Sequence, residues 1–442
     1  MKTKVFALTV ILTLLATSLS TSVAAVSENT LKTRVVITDE GSYFNVTATL
    51  KDKGDHRQFG KEYGKAIKQT LPGYEELLDT YLNRIVQFFS QLYGTDVETF
   101  TGKMMESTRN IFPQLDKEYQ EEIYGLASEF SPGAPDSLGD KKISFHEMAA
   151  YNMLSDVVRV YECSAAAVFG ERSATGDIIA ARNLDWLNLG MFSELNSVTT
   201  INNREKSICL IGYLGNLGAI SAFNKSGVFA AILDTSMTNK NPSDSSKKRS
   251  YYMDLRHAVE NETTLKGVAD YMKDTNKKYI YNHLIFLADK YGSKVLENNI
   301  SGNGANMRRA LRSWDSELND GITWGIPDAI GCVNSFMLKG NHDDHTQVSL
   351  NTTRWESLKR ELLAKGEKVD AQELADVISY SHYNGPGYND EGDLYWGDEM
   401  RGSAQTIIFI PATKEMKVFF RPRDGVLPAV RTFETVQVSF RN

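Results

Sequence analysis

Residues 163–186 read CSAAAVFGERSATGDIIAARNLDW, and the rest of the chain is organised around them. Ala165, Ala166, Ala167, Val168 and Phe169 make one short apolar run, and Ile178, Ile179, Ala180 and Ala181 make a second. Between them Ser173-Ala174-Thr175-Gly176-Asp177 supplies turn residues. This is the pattern of a β-hairpin. In an antiparallel pair the head of the first strand lies beside the tail of the second, which sets Cys163 next to Arg182, Asn183 and Asp185. A guanidinium near a thiol lowers its pKa toward the reactive thiolate, and a carboxylate can orient a neighbouring amine. A free cysteine among alanines is by itself an ordinary core residue.

At the amino end, Lys2 and Lys4 precede an apolar run over residues 5–15 and the small residues Ser22-Val23-Ala24-Ala25. This is the layout of a signal peptide over residues 1–25, with the mature chain starting near Val26, and it implies a secreted, periplasmic or cell-exterior protein. The run is too short to persist as a membrane anchor, and no later stretch has the length of a transmembrane helix. A formal net charge of -7 argues against a nucleic-acid partner and against a polybasic membrane contact. Three cysteines, Cys163, Cys209 and Cys332, are too few for a disulfide scaffold, and in an oxidising compartment an odd count leaves at least one thiol free. Sequons stand at Asn45, Asn224, Asn261, Asn299 and Asn351.

Residues 34–50 alternate as one or two exposed strands do, after which Phe59, Tyr63, Ala66, Ile67, Leu71, Tyr74, Leu77, Leu78, Tyr81 and Leu82 recur at helical spacing. Further helices are predicted over 104–112 and 117–130, and one starts at Ser144 as N-cap and ends before Cys163. Past the hairpin the chain turns strand-rich. Strands are predicted over 197–201, 207–214, 219–223 and 228–233, helices over 252–259 and 265–272, a hairpin over 284–288 and 293–297, and a terminal hairpin over 404–410 and 416–420.

A cysteine heading a hairpin whose second strand ends Arg182-Asn183-Leu184-Asp185-Trp186 resembles the cysteine N-terminal-nucleophile hydrolases. The match is to the isopenicillin N acyltransferase-like group and the related choloylglycine hydrolases and penicillin V acylases. The element order around residues 283–292 and the terminal hairpin resemble the same family, and Gly60 and Gly64 match its G-x-x-x-G element or a plain helix-packing seam. The resemblance implies a four-layer αββα sandwich of α+β class, divided into signal peptide (1–25), helix-rich propeptide (26–162) and catalytic domain (163–442). It implies a Cys163 nucleophile freed by autocatalytic cleavage at Glu162-Cys163, with the propeptide kept as a second chain. It gives Asp185 the task of holding the new α-amino group, Arg182 that of biasing the thiol toward thiolate, and Asn334 that of donating to the oxyanion. Arg354, in Thr353-Arg354-Trp355, matches an arginine at the site. Asp234 stands where relatives carry an oxyanion Asn, and an ionised Asp cannot donate a hydrogen bond. Either it is protonated, or backbone N-H groups do more, or the chemistry has drifted, in the limit to a binding protein without turnover. The substrate class implied is a small N-acyl amide, cleaved by water or passed to an amine acceptor, with no cofactor.

Two further stretches invite other readings. His342 and His345 flank two carboxylates at a spacing that could hold a divalent metal, although solvated loop residues look the same. Five aromatics among Gly, Asn and Asp over residues 380–396 have the composition of a substrate-facing lid.

Overall fold

The computed structural model describes residues 32–158, 163–204, 206–235, 244–300, 308–342, 349–379, 401–426, 428, 430–438 and 440–441. The signal-peptide residues, Glu162, His345 and the aromatic stretch 380–396 lie outside them. Ahead of Cys163 come β1 (Arg34–Asp39), β2 (Phe44–Thr49), α1 (His56–Thr70), α2 (Tyr74–Tyr93), α3 (Val97–Ile111), α4 (Lys117–Ala127), α5 (Phe145–Asn152) and α6 (Leu154–Val157). From Cys163 the chain gives β3 (Cys163–Val168), β4 (Ile179–Leu187), β5 (Asn196–Asn202), β6 (Ile208–Tyr213), β7 (Ser221–Asn224) and β8 (Phe229–Asp234). Then follow α7 (Tyr251–Asn261), α8 (Leu265–Met272), β9 (His283–Asp289), β10 (Gly292–Asn298), β11 (Arg309–Arg312), β12 (Ala329–Val333), α9 (Ser349–Ala364), α10 (Ala371–Ser379), β13 (Arg401–Ile410), β14 (Glu415–Phe420) and β15 (Glu434–Thr435).

The strands form two sheets, one of nine in the order β1-β2-β5-β6-β7-β8-β9-β10-β11 and one of six in the order β12-β3-β4-β13-β14-β15. Alternation along each strand sorts their side chains into layers. Ala165, Ala167, Ala180, Ile407 and Phe409 of the six-stranded sheet join Val198, Ile208, Phe223 and Phe229 of the nine-stranded sheet in one core. Ala166, Val168, Ile179, Ala181 and Ile408 face the other way, onto Trp355, Leu358 and Leu362 of α9 and Leu374 and Ile378 of α10. The earlier helices pack with the nine-stranded sheet, which gives the helix-sheet-sheet-helix layering.

Three local features refine the sequence expectation. The long helical period is broken into α1 and α2 at Leu71-Pro72-Gly73, because a proline drives the residue before it out of the α region. The strands expected over 34–50 form, but not as a free pair: β1 pairs with β2, and β2 adds in parallel to β5, so the segment ahead of Cys163 supplies two strands to the larger sheet. The arginine segment lies inside a helix, since α9 begins at Ser349, before Arg354. Elsewhere local chemistry sets the boundaries, at Ser144 as predicted. Ser144 and Glu147 form a reciprocal capping box that starts α5. Gly94, left-handed at φ 64°, ends α2.

Gly60 and Gly64 serve a packing seam. A β-carbon on Gly60 would come within 2.1 Å of the Glu122 carbonyl oxygen, and one on Gly125 within 2.2 Å of the Arg57 carbonyl, so α1 and α4 touch backbone to backbone. Three sequons are spent on structure. Asn224 Nδ2 donates to the carbonyls of Val259 and Glu262, at 2.7 Å each, and Asn299 and Asn351 are likewise buried and bonded.

Candidate active site

Three strand ends meet at Cys163. It opens β3 opposite Leu184 of β4, with Arg182 opposite Ala165; on its other side β12 sets Val333 opposite Ser164, so Asn334 comes level with Cys163. Pleating then divides the neighbours. Cys163, Arg182 and Leu184 point between the sheets, whereas Asn183 and Asp185 point to the opposite face.

Every polar part of Cys163 has a partner. Arg182 Nη2 lies 3.5 Å from Sγ and also donates to the Ile232 carbonyl at 3.0 Å, tying the six-stranded sheet to β8. The Cys163 N-H donates to Asn334 Oδ1 at 2.6 Å. The Cys163 carbonyl accepts from Arg354 Nη2, and Arg354 Nη1 donates to Asn334 Oδ1 at 2.9 Å and to Asn351 Oδ1 at 3.2 Å. Asn334 Nδ2 donates to the Asp234 carbonyl at 2.6 Å. Arg182, Asn334 and Arg354 are buried almost completely. Thus Cys163, Arg182, Asn334, Arg354 and Asp234 come together from β3, β4, the end of β12, α9 and β8.

Asp185 occupies a different setting. It accepts from Asn183 Nδ2 at 2.7 Å and from Ser403 Oγ at 2.8 Å, and Arg431 binds both of those residues from outside. The contact to Cys163 N that the resemblance assigns to Asp185 is made here by Asn334.

The thiol is not the low-pKa thiolate expected from its arginine. Burial pushes Cys163 up to about 11; Arg182 and Arg354 pull it down, while Asp185 and Asp234 push with the burial. Burial raises Cys332 to about 12 and Cys209 further. Iodoacetamide should therefore label Cys163 ahead of Cys332 and Cys209, and faster as the pH is raised, because the thiolate is the nucleophile. Peptide mapping after timed alkylation checks the order; Cys209 or Cys332 reacting first would contradict it.

Asp234 closes β8, opposite His283. Tyr251 Oη lies 2.9 Å from Asp234 Oδ1 and 2.6 Å from the Ser155 carbonyl. The one phenol proton is thus offered to two acceptors, a carboxyl oxygen and a carbonyl. An asparagine here keeps an acceptor for Tyr251 and adds an amide donor. Asp234→Asn should keep or raise activity, and a loss beyond about tenfold, or ~1.4 kcal/mol in the barrier, would mean that the acid is needed as such.

Beside Sγ lies a pocket of about 500 Å³, counting the space open at its mouth, with Leu184, Trp186, Phe192, Tyr213, Ile232 and Tyr252 among its walls. Phe192 is sandwiched between Tyr81 at 3.8 Å and Tyr213 at 3.7 Å, and Trp186 Nε1 donates to Tyr81 Oη at 2.7 Å. Four contributors escaped the sequence reading: Tyr81, Tyr213, Tyr251 and Asn351. Asn351 stands one helical turn before Arg354, a signal available once α9 is known to start at Ser349. Asp156 also went unnoticed. It accepts from Ser250 Oγ at 2.5 Å and from Tyr251 N at 3.1 Å, and burial holds its carboxyl well above the usual range.

No group of three potential metal ligands exists among the described residues, where His342 is exposed at a loop end. Nor is any described helix long and apolar enough to cross a membrane.

No protein-family model matches the chain. No curated protein matches it either. Among solved structures it is similar to the Caenorhabditis elegans ortholog of N-acylethanolamine-hydrolyzing acid amidase, at 13% identity and a TM-score of 0.39 over 56% of this chain and 93% of that one. It is similar also to penicillin V acylase from Agrobacterium tumefaciens, at 11% identity and 0.33 over 58% and 83% of the two chains. A mutant conjugated bile acid hydrolase from Clostridium perfringens matches at 12% identity and 0.33 over 63% and 97%.

Proposed function

We propose that this chain is an exported cysteine amidohydrolase of the N-terminal-nucleophile type, which cuts itself at Glu162-Cys163 and then cleaves the linear amide of a small N-acyl substrate. The observation that carries this reading is the set of bonds around Cys163: a guanidinium on its sulfur, a second on its carbonyl and a side-chain amide on its nitrogen. A packing cysteine needs none of these, and burying two guanidinium groups beside it is costly unless they have work to do.

With the peptide bond cut, Cys163 N is a primary amine whose unperturbed pKa of ~7.7–8.0 suits a general base. Asn334 Oδ1 accepts one of its protons and so aims its lone pair at the thiol. The amine takes the thiol proton as Sγ bonds to the acyl carbon, and the carbonyl electron pair moves onto oxygen. Arg182 compensates the charge that forms on sulfur. Asn334 Nδ2 donates one hydrogen bond to the Asp234 carbonyl and a second to the oxyanion. As the C-N bond breaks, the ammonium passes its proton to the departing amine. Water then adds to the thioester with the same amine as base, releasing the acid. Residues 26–162 stay attached after the cut, held by β2 on β5 and by the buried pair of Glu122 with Arg256 at 2.5 and 2.9 Å.

A panel of N-acyl amides scored for free amine tests the reading. At least one should yield amine and acid in equal amounts, and alkylating Cys163 should stop it. A folded, cut protein that releases amine from none of them would overturn the assignment.

A further inference from the structure

Asn334 stands just past the end of its strand. The β12 ladder runs to Val333 opposite Ser164, and the chain then bends at once, the Ser335 N-H donating to the Val333 carbonyl at 2.7 Å across Asn334. Strand pairing therefore stops short of Asn334, and the aim of its amide depends on what fixes the chain on either side. One buried ion pair outside the site grips both flanks. Ahead of Asn334, Arg312 Nη2 donates to the Gly331 carbonyl at 2.7 Å. Past it, Glu297 Oε1 accepts from Met337 N at 3.0 Å and from Leu338 N at 3.1 Å, and Glu297 Oε2 accepts from Asn341 Nδ2 at 3.0 Å. Arg312 Nε joins the two grips, 3.0 Å from Glu297 Oε1.

Glu297 lies in β10 and Arg312 in β11, at one edge of the nine-stranded sheet, so the pair reaches from that sheet to the end of a strand in the other. The Arg312 guanidinium also sits over the Trp355 ring, 5.4 Å from its centroid, next to Arg354 on α9. Both side chains are buried almost completely, and burial raises the Glu297 carboxyl against the pull of Arg312 and the N-H donors. A pair so desolvated is often no more stabilising than apolar side chains of the same volume; what it supplies is fixed geometry. Resting on the role of Asn334 in the amidohydrolase reading, we propose that Glu297 and Arg312 are positioning residues for the oxyanion amide. They hold the chain on both sides of Asn334, so that Oδ1 stays on Cys163 N and Nδ2 stays aimed at the acyl oxygen.

Glu297→Gln keeps an acceptor oxygen but drops the charge that draws Arg312, and Arg312→Lys keeps the charge but not the fork that spans Glu297 and the Gly331 carbonyl. Both are made in the full chain, and turnover is counted per cut chain by intact mass, so that loss of folded protein does not enter. The probes are N-hexanoyl and N-dodecanoyl p-nitroanilide. Each variant should lower kcat by about tenfold or more with KM within about twofold, because an oxyanion donor acts in the transition state. The first-order rate of the Glu162-Cys163 cut, which needs no substrate, should fall with it and carries the comparison if neither anilide is cleaved. Glu122→Gln is the control: it loosens an equally buried pair, with Arg256, that joins α4 to α7, and its rates should stay near those of the wild type. Wild-type rates in both test variants, or the same loss in Glu122→Gln, overturn this inference, and the amidohydrolase reading stands if Asn334→Ala is impaired. Failure of both test variants to fold by circular dichroism makes the pair a scaffold element and overturns it too. A wild type that neither cuts itself nor releases p-nitroaniline overturns the reading and the inference together.

Discussion

Cys163→Ala should accumulate as one uncut, inactive chain, whereas the wild-type protein should run under denaturing conditions as two, the larger beginning Cys-Ser-Ala-Ala-Ala. The effect is all-or-none because the thiol is both reagent and product of the cut. Its attack on the Glu162 carbonyl moves the acyl group from nitrogen to sulfur, breaking the C-N bond and making a thioester. Water opens the thioester, and the thiol returns together with a free α-amine. The bonds at Cys163 fit this early task. Arg182 at 3.5 Å compensates the thiolate that burial otherwise disfavours, and Arg354 and Asn334 fix the carbonyl and N-H of the same residue, so the departing nitrogen cannot swing away. Intact mass decides the matter. Active wild-type protein found as a single chain from Val26 to Asn442 would exclude the mechanism.

Replacing Asn334 should be nearly as damaging, and the choice of replacement separates its two tasks. Asn334→Ala removes the acceptor for Cys163 N and the donor held at 2.6 Å from the Asp234 carbonyl, and it strips Arg354 Nη1 of one of its acceptors. One oxyanion donor is typically worth ~10²–10³ in rate, and a loss of that order in kcat is expected. Asn334→Asp keeps an acceptor for Cys163 N and for Arg354 but sets a carboxylate against a carbonyl. If holding the nucleophile dominates, the Asp variant still cuts itself and loses mainly turnover. If donation dominates from the start, both variants remain uncut. Turnover within about tenfold of wild type in the Ala variant, with normal folding by circular dichroism, would remove Asn334 from the machinery.

How far the site could be read from sequence depended on distance along the chain. The hairpin that joins Cys163 to Arg182 is local, and its two apolar runs and the turn residues between them predict both strands and their pairing. Ser144 starts its helix as the capping box requires, and α8 falls on residues 265–272 as its period predicts. Asn334, Asp234 and Arg354 reach Cys163 from a loop, the other sheet and a helix, and only the family resemblance pointed to them. Their actual bonds were not legible at all. Nothing in the residue types says that Asn334 rather than Asp185 meets Cys163 N; that follows from pleating, which sends Asp185 to the far face of β4. The thiol pKa failed for a similar reason. Arginine proximity is visible in the hairpin, but the burial that outweighs it is a property of the finished sandwich. Tyr213 and Tyr251 act through positions that no local pattern marks.

The parallel seam between β2 and β5 also sets an order of events while the chain is being made. Phe44 must find Ser197, roughly 150 residues later in synthesis. Until that strand emerges, β2 has an open edge, and the buried faces of α1 and α2 lack part of their partner. Non-local pairings of this kind are slow to form and expose strand edges meanwhile. A nascent chain paused before β5 is therefore the species most prone to aggregate, and chaperone demand should peak there. Separately expressed segments, one ending ahead of Cys163 and one starting at it, should each be insoluble alone, because the cut leaves two strands of the nine-stranded sheet in one and seven in the other, each with an open edge.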